Sequence, residues 1–228
     1  VRADPPTGPP GTGRAPPDRR LAAVLAGHRG DPAGARAALA DPQARVRAAG
    51  LGALARLGAL RAADLRAGLA DPDPVVRRRA AGLAPGLRGA GGPTARALVT
   101  AVGDPDPLVA EAACTALGEL ARTGRVDRVG PLSAAVRDHP DARVREAALG
   151  ALGSLGDPAG LPAVLDALSD RPTVRRRAAV ALSAFDGPEV EAALRRALED
   201  RDWQVREVAE ILLDAPVTGP ATRPRRDG

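Results

Sequence analysis

Few side chains in this sequence are of the kinds that do chemistry. It holds two His, one Cys and no Lys, Tyr or Met. Without lysine there can be no Schiff base, no lysine general base and no Walker-type phosphate loop. His28 closes a short apolar run, where a cation suits a helix C-terminus. His139 sits in the turn Asp138-His139-Pro140-Asp141 and is expected to face water. Neither histidine has a second ligand at metal-binding spacing. Cys114 lies beside Ala112, Ala113 and Ala116 with no histidine close in sequence to activate it, and reads as a buried, inert thiol. Glu189, Glu191, Glu199, Glu207 and Glu210 form no acid–base pair. The expectation is a chain with no catalytic residue, no metal and no cofactor, and therefore not an enzyme.

What remains is arginine, which supplies all 33 basic residues. Two triplets stand out, Arg77-Arg78-Arg79 and Arg175-Arg176-Arg177, each at the start of a helical pattern. On a helical wheel the second residue after the buried Val76 or Val174 points away from the core, so Arg78 and Arg176 are expected at the surface. The same place elsewhere holds Ala48, Glu111, Glu146 and Glu207, a mixed strip and not a phosphate track. Arg78, Arg79, Arg176 and Arg177 are the candidate partner-binding residues, since arginine is enriched at interface hot spots. A solvated charged face is the competing reading. Trp203 joins them as the fifth candidate. It either packs over the final repeat as a cap or anchors a partner. The last helical stretch, with Val208, Ile211, Leu212 and Leu213, is apolar over more than one stripe, which leaves room for a partner or self-association at that end.

A net charge of +5 and an isoelectric point near 11 invite a nucleic-acid reading. The excess is not spread evenly. Residues 1–20 carry four Arg against two Asp, and residues 215–228 carry three Arg against one Asp, leaving 26 basic and 25 acidic residues between them. The central region is thus nearly neutral, which disfavours nucleic acid as its partner. Residues 1–20 contain six Pro and three Gly and almost no large apolar side chain, and residues 215–228 return to Pro, Gly, Thr and Arg. Both are expected to be disordered tails. The single cysteine allows no internal disulfide, and no stretch approaches the length of a bilayer span, so a cytoplasmic protein without membrane contact is expected.

The elements that must position these residues are short helices in pairs. From Val144 to Asp170, Val144, Ala147, Ala148, Leu152 and Leu155 make one apolar stripe. Gly156 ends that helix, and Asp157 and Pro158 open the next. Leu161, Val164, Leu165 and Leu168 form the second stripe. The unit recurs: Val46, Val76, Val109, Val144, Val174 and Val205 follow one another at 30, 33, 35, 30 and 31 residues. Four residues beyond each valine stands Gly50, Ala80, Ala113, Ala148, Ala178 or Ala209; eight beyond stands Leu54, Leu117, Leu152, Leu182 or Leu213, with Ala84 the exception. Asp73, Asp106, Asp141 and Asp202 precede the valine by three residues; Asp41, Asp71, Asp104 and Asp200 precede it by five. Arg follows it at once in Arg47, Arg77, Arg145, Arg175 and Arg206; Ala110 breaks the series. A period in this range is the signature of a solenoid.

The pattern Asp-Pro-x-x-x-Val-Arg, with Leu-Gly-Asp-Pro and Leu-Pro-x-x-x-x-Ala-Leu, resembles HEAT repeats over about residues 31–214. It is most similar to the short bacterial form also found in phycobilisome lyases. The resemblance implies an all-α, right-handed α-solenoid of about six helix pairs, spanning residues 21–214 between the two tails. It also implies a structural ladder between adjacent repeats, with Asp71, Asp104 and Asp200 opposite Arg47, Arg77, Arg145, Arg175 and Arg206, and one rung in question at Ala110. Paired His-Glu dipeptides, which hold iron in some HEAT-repeat enzymes, are absent. The implied function is a non-enzymatic scaffold for a protein partner. Two alternatives stand beside it: nucleic-acid binding, through a glycosylase-like HEAT fold or the basic tails, and a bilin lyase-type chaperone role.

Overall fold

The computed structural model describes residues 18–87, 89, 91–120 and 126–214. Among the described residues the chain is helical throughout, with no strand, in the helix-pair arrangement of an α-solenoid. The helices are α1 (Arg19–Arg29), α2 (Pro32–Ala37), α3 (Ala44–Arg56), α4 (Ala62–Leu69), α5 (Pro74–Leu83), α6 (Gly91–Ala101), α7 (Pro107–Glu119), α8 (Val129–Asp138), α9 (Ala142–Leu155), α10 (Leu161–Asp166), α11 (Pro172–Ala181), α12 (Pro188–Ala197) and α13 (Trp203–Asp214). None is long and apolar enough to cross a membrane. Residues 1–17 and 215–228, most of the two expected tails, lie outside the described residues. Asp18 caps α1 by accepting hydrogen bonds from the Arg20 and Leu21 amides, so the helical region begins slightly earlier than the sequence pattern places it.

The fold divides into two compact units, Val1–Ala59 and Leu60–Gly228. In the first, α3 packs against both α1 and α2. In the second, α5, α7, α9, α11 and α13 lie side by side in that order, each with its own preceding helix, α4, α6, α8, α10 or α12, against it. The later helix of each pair starts as the aspartate pattern requires. Carboxylates of Asp73, Asp106, Asp141 and Asp202 accept from the amide two residues on, satisfying donors that the first helical turn leaves open. The spaced valines Val76, Val109, Val144, Val174 and Val205 are buried, and Ala80, Ala113, Ala148, Ala178 and Ala209 are wholly so.

The buried arc of these helices is wider than one stripe. Cys114, Leu149, Ala151 and Ala179 are also inside, because each such helix is flanked on both sides by its neighbours as well as covered by its own partner. Small residues set the side-to-side distance. A Cβ on Gly118 of α7 would lie 2.7 Å from Ala151 Cα of α9, closer than side-chain carbons sit to backbone. Gly27 of α1 meets Ala53 of α3 in the same way, at 2.9 Å. Helix α1 therefore stands to α3 as α7 stands to α9, and acts as the second helix of a repeat.

This geometry reverses an ordinary preference. Alanine in place of a mid-helix glycine stabilises by roughly 1 kcal/mol. Gly150 of α9 has only the Arg177 side chain within reach of a new Cβ, at 3.9 Å, so Gly150→Ala should raise the melting temperature. Gly118→Ala should lower it, since the backbone of α9 stands in the way and overpacking costs on the order of 1–3 kcal/mol. Parallel thermal denaturation of the two variants reads the difference in sign.

The outer side of α13 departs from its siblings. Five residues past the spaced valine the others bury Ala81, Cys114, Leu149 and Ala179, whereas α13 exposes Glu210 there, and it adds exposed Asp214 at its end. Trp203, expected either to pack over the final repeat as a cap or to anchor a partner, is 61% exposed and is not packed as a cap.

Candidate functional site

Arginine side chains at the helix starts sort into two groups. The first group is spent on structure. Arg77 directs Nε and one terminal nitrogen onto both oxygens of Asp104, at 2.7 and 2.9 Å, while its other terminal nitrogen donates to the Asp71 and Pro72 carbonyls. Arg145 does the same to Asp170, at 2.8 and 2.9 Å, and to the His139 and Pro140 carbonyls. Arg175 grips Asp200 at 2.9 Å through both bonds, and donates to the Asp170 carbonyl. Each guanidinium thus ties its own interhelix turn to the next repeat. The fork geometry matches a carboxylate, which makes such bonds stronger than single ones.

The ladder implied by the motif is therefore real at Arg77–Asp104 and Arg175–Asp200. Asp170 is a member that the spacing hides, because its turn is one residue shorter and it precedes Val174 by four residues instead of five. In the first unit Arg19 pairs with Asp41 at 3.1 Å, a further rung whose arginine lies in the expected tail. Arg47 donates to the Asp41 and Pro42 carbonyls, and Arg206 to the Asp200 carbonyl. Where Ala110 replaces arginine, the opposite residue changes too. His139 stands in the aspartate's place, and its Nδ1 accepts from the Asp141 amide at 3.1 Å, as Asp71, Asp104 and Asp200 accept from Asp73, Asp106 and Asp202. His139 is half-buried there, not fully in water as its turn suggests. The junction lacking this rung, between α7 and α9, is the one closed by Gly118 on Ala151.

The pairing holds the carboxylates in their charged form. Hydrogen bonds from Arg145 and Arg175 keep Asp170 and Asp200 below the usual carboxylate range, outweighing partial burial. At Asp104 burial is the largest influence and opposes ionisation, yet the Arg77 bonds and the Asp106 amide together bring the group below its ordinary value. Cys114 goes the other way. Burial pushes its thiol up to about 12, so it carries almost no thiolate near neutral pH. Among the described residues no cluster of His, Cys, Asp and Glu side chains is placed to hold a metal ion.

The second group of arginines faces solvent. Arg78, Arg79 and Arg177 are exposed and form no ion pair among the described residues; Arg176 is half-exposed and gives only its Nε to Asp202, at 3.0 Å. These four lie on the free side of the helix row α5, α7, α9, α11, α13. Between the two arginine pairs the same side carries half-buried Glu111, Ala112, Glu146, Ala147 and Gly150, with Thr115 exposed. The Arg177 side chain of α11 reaches across to Gly150 of α9, so the two helices meet on this side. Trp203 and Ile211, both 61% exposed, stand on α13 at the far end of the row, with Val180 of α11 also open.

Comparison with known proteins agrees with the repeats. Residues 129–214 match the sequence profile of HEAT repeats, and residues 96–124 match the HEAT repeat profile. No curated protein matches the chain. Among solved structures, Escherichia coli YibA superposes with a TM-score of 0.63 at 19% identity, over 88% of this chain and 76% of that one. A designed armadillo repeat protein, YIII(Dq)4CqI, superposes at 0.56 with 16% identity, over 78% of this chain and 97% of its own. Another, solved in complex with the peptide (KR)4, superposes at 0.58 with 16% identity, over 80% and 97%. These likenesses are of fold.

Proposed function

For a chain that carries HEAT repeats, we propose the role of a non-enzymatic scaffold that binds a protein partner on the free side of the α5–α13 row. One observation carries this reading. Three arginines on that side, Arg78, Arg79 and Arg177, are left without ion partners among the described residues, while Arg77 and Arg175, one or two positions away, are consumed in the ladder. Side chains held ready on a rigid helical row, with small residues between them, suit contact with another chain. A designed armadillo repeat protein of similar fold, solved in complex with a peptide, supports a protein or peptide as the partner. The shorter, lyase-like repeat subtype rests on the motif resemblance alone, and nucleic acid is the weaker partner because Glu111 and Glu146 interrupt the row.

Site-specific photocrosslinking tests the proposal. A photoreactive residue replaces exposed Thr115 on the row, or exposed Glu191 on α12, in the full-length chain within its native cell extract treated with nuclease. The expected result is one stoichiometric protein adduct from position 115 and none from position 191. Equal labelling from both positions, or adducts that vanish with nuclease, would reject the scaffold reading.

A further inference from the structure

We infer that the partner of this face is a protein segment with two acidic clusters set about 25–30 Å apart and a neutral or basic stretch between them. The inference rests on the proposed scaffold role and gives the chemistry of what is bound. Its first support is the placing of the arginines. Arg78 and Arg79 sit on α5, Arg176 and Arg177 on α11, and α7 and α9 lie between them. Neighbouring packed helices are spaced by roughly 8–10 Å, so three steps separate the pairs by about 25–30 Å. Its second support is what fills the gap. Glu111 on α7 and Glu146 on α9 occupy the same helical position as Arg78 and Arg176. An anion running unbroken along the row would be attracted at each end and repelled in the middle. A uniformly charged strand of phosphates is therefore the wrong ligand, whereas a chain with acid at its ends and Lys or Arg in its centre meets opposite charge at Arg78, Glu111, Glu146 and Arg176; Arg143, beside Glu111, is paired with Asp141.

The floor of the row sets the conformation. Gly82 has no atom within 4 Å of a would-be Cβ, and at Gly150 the three nearest atoms all belong to the Arg177 side chain, at 3.9 Å. With Ala112, Ala147 and Thr115 nearby, a backbone can approach closely between the arginines. An extended segment advances about 3.3 Å per residue, so the two acidic clusters would stand about eight residues apart.

The test uses fluorescent synthetic peptides and the full-length chain, read by fluorescence anisotropy. Each peptide has an acidic pair at either end and a Lys/Ser/Gly centre of about four, about eight or about twelve residues. A control of the same composition carries its acids in the middle, and a single-stranded oligonucleotide of similar length is the second control. The expected result is tightest binding at the spacing of about eight, at least tenfold better than the centre-acid peptide and the oligonucleotide. Arg78→Ser with Arg79→Ser, and separately Arg177→Ser, should each weaken binding by about five- to tenfold at unchanged melting temperature. Glu111→Lys with Glu146→Lys should remove the preference against the centre-acid peptide. Binding that ignores spacing or the arginine variants, absence of binding at the spacing of about eight, or tighter binding of the oligonucleotide would overturn the inference. The scaffold reading is scored separately. A protein adduct formed from position 115 that survives in the arginine variants keeps the scaffold and rejects this partner chemistry.

Discussion

Asp200→Ala is expected to destabilise the chain by about 2 kcal/mol and to loosen its C-terminal repeat first. The substitution strips Arg175 of both carboxylate bonds, and the Arg175 side chain is only 5% exposed. Breaking one side of a fully buried pair costs roughly 3–5 kcal/mol, while an exposed pair contributes about 0–1 kcal/mol. Asp200 itself is 16% exposed, which places this rung between those limits. The Asp200 carboxylate also accepts from the Asp202 amide, so the turn leading into α13 loses a second tie. In a solenoid the loss stays near its interface. Hydrogen exchange should quicken in α12 and α13 and remain slow in α7 and α9. Pairing Arg175→Met with Asp200→Leu should recover much of the loss, because the damage comes from an unpaired charge more than from the missing bond. Failure of the double variant to recover would assign the rung a net stabilising role of its own.

Acid should act on the same rungs. Asp104, Asp170 and Asp200 are all held below the ordinary carboxylate value. The folded chain therefore binds fewer protons there than the unfolded chain. The stabilisation is complete above about pH 4 and is lost as the pH falls through that value and on through the lower folded ones. Wild type should lose stability more steeply below about pH 4 than Asp200→Ala, and the two curves should converge in strong acid. A constant gap between them would mean that Arg175 does not hold the Asp200 carboxyl below its ordinary value.

The repeat was legible in the sequence because two independent signals share one period. Buried valine, small residue and leucine at fixed offsets define the inner side of each helix, and an aspartate three residues ahead defines its start. Both depend on local geometry that a residue's type reveals. The ladder was partly legible. Arg77 opposite Asp104 and Arg175 opposite Asp200 are implied by the HEAT-repeat resemblance, because both stand at the motif's positions, but Asp170 is not, since deletion of one turn residue shifts it out of register while leaving its carboxylate in place. His139 in the place of an aspartate is harder still, because the substitution preserves one hydrogen bond and abandons another. Arg19 falls in the expected tail, because its repeat lacks the valine that sets the phase. On the candidate face, exposure of Arg78, Arg79 and Arg177 follows from the helical wheel. The engagement of Arg176 with Asp202 could not be read, because the helical wheel turns Arg176 to solvent and Asp202 already caps α13. Nor could the tight approach of Gly118 to Ala151, which depends on how two helices cross.

Ala148→Glu tests the phase of that whole reading, with the largest loss expected of any single change. Ala148 is wholly buried at the position four residues beyond Val144. At the matching place in the first unit, Gly50, a Cβ would lie 2.9 Å from the Ala35 carbonyl oxygen and 3.0 Å from the Ala38 Cβ, so this position faces the preceding helix of its own repeat. For Ala148 that helix is α8, which buries Leu132 and Val136. A carboxylate there must either be protonated or carry its charge into an apolar interior, and the longer side chain must also force α8 from α9. Both push in one direction, with a combined cost of about 4 kcal/mol or more. For a domain of this size that corresponds to a fall in melting temperature on the order of 10 °C. Ala147→Glu is the control. Ala147 is half-buried on the free side of α9, beside Glu146, and its replacement should shift the melting temperature by only a few degrees. Equal losses at 147 and 148 would show that α9 is rotated from the orientation described, and with it the entire side on which Arg78, Arg79, Arg176 and Arg177 are placed.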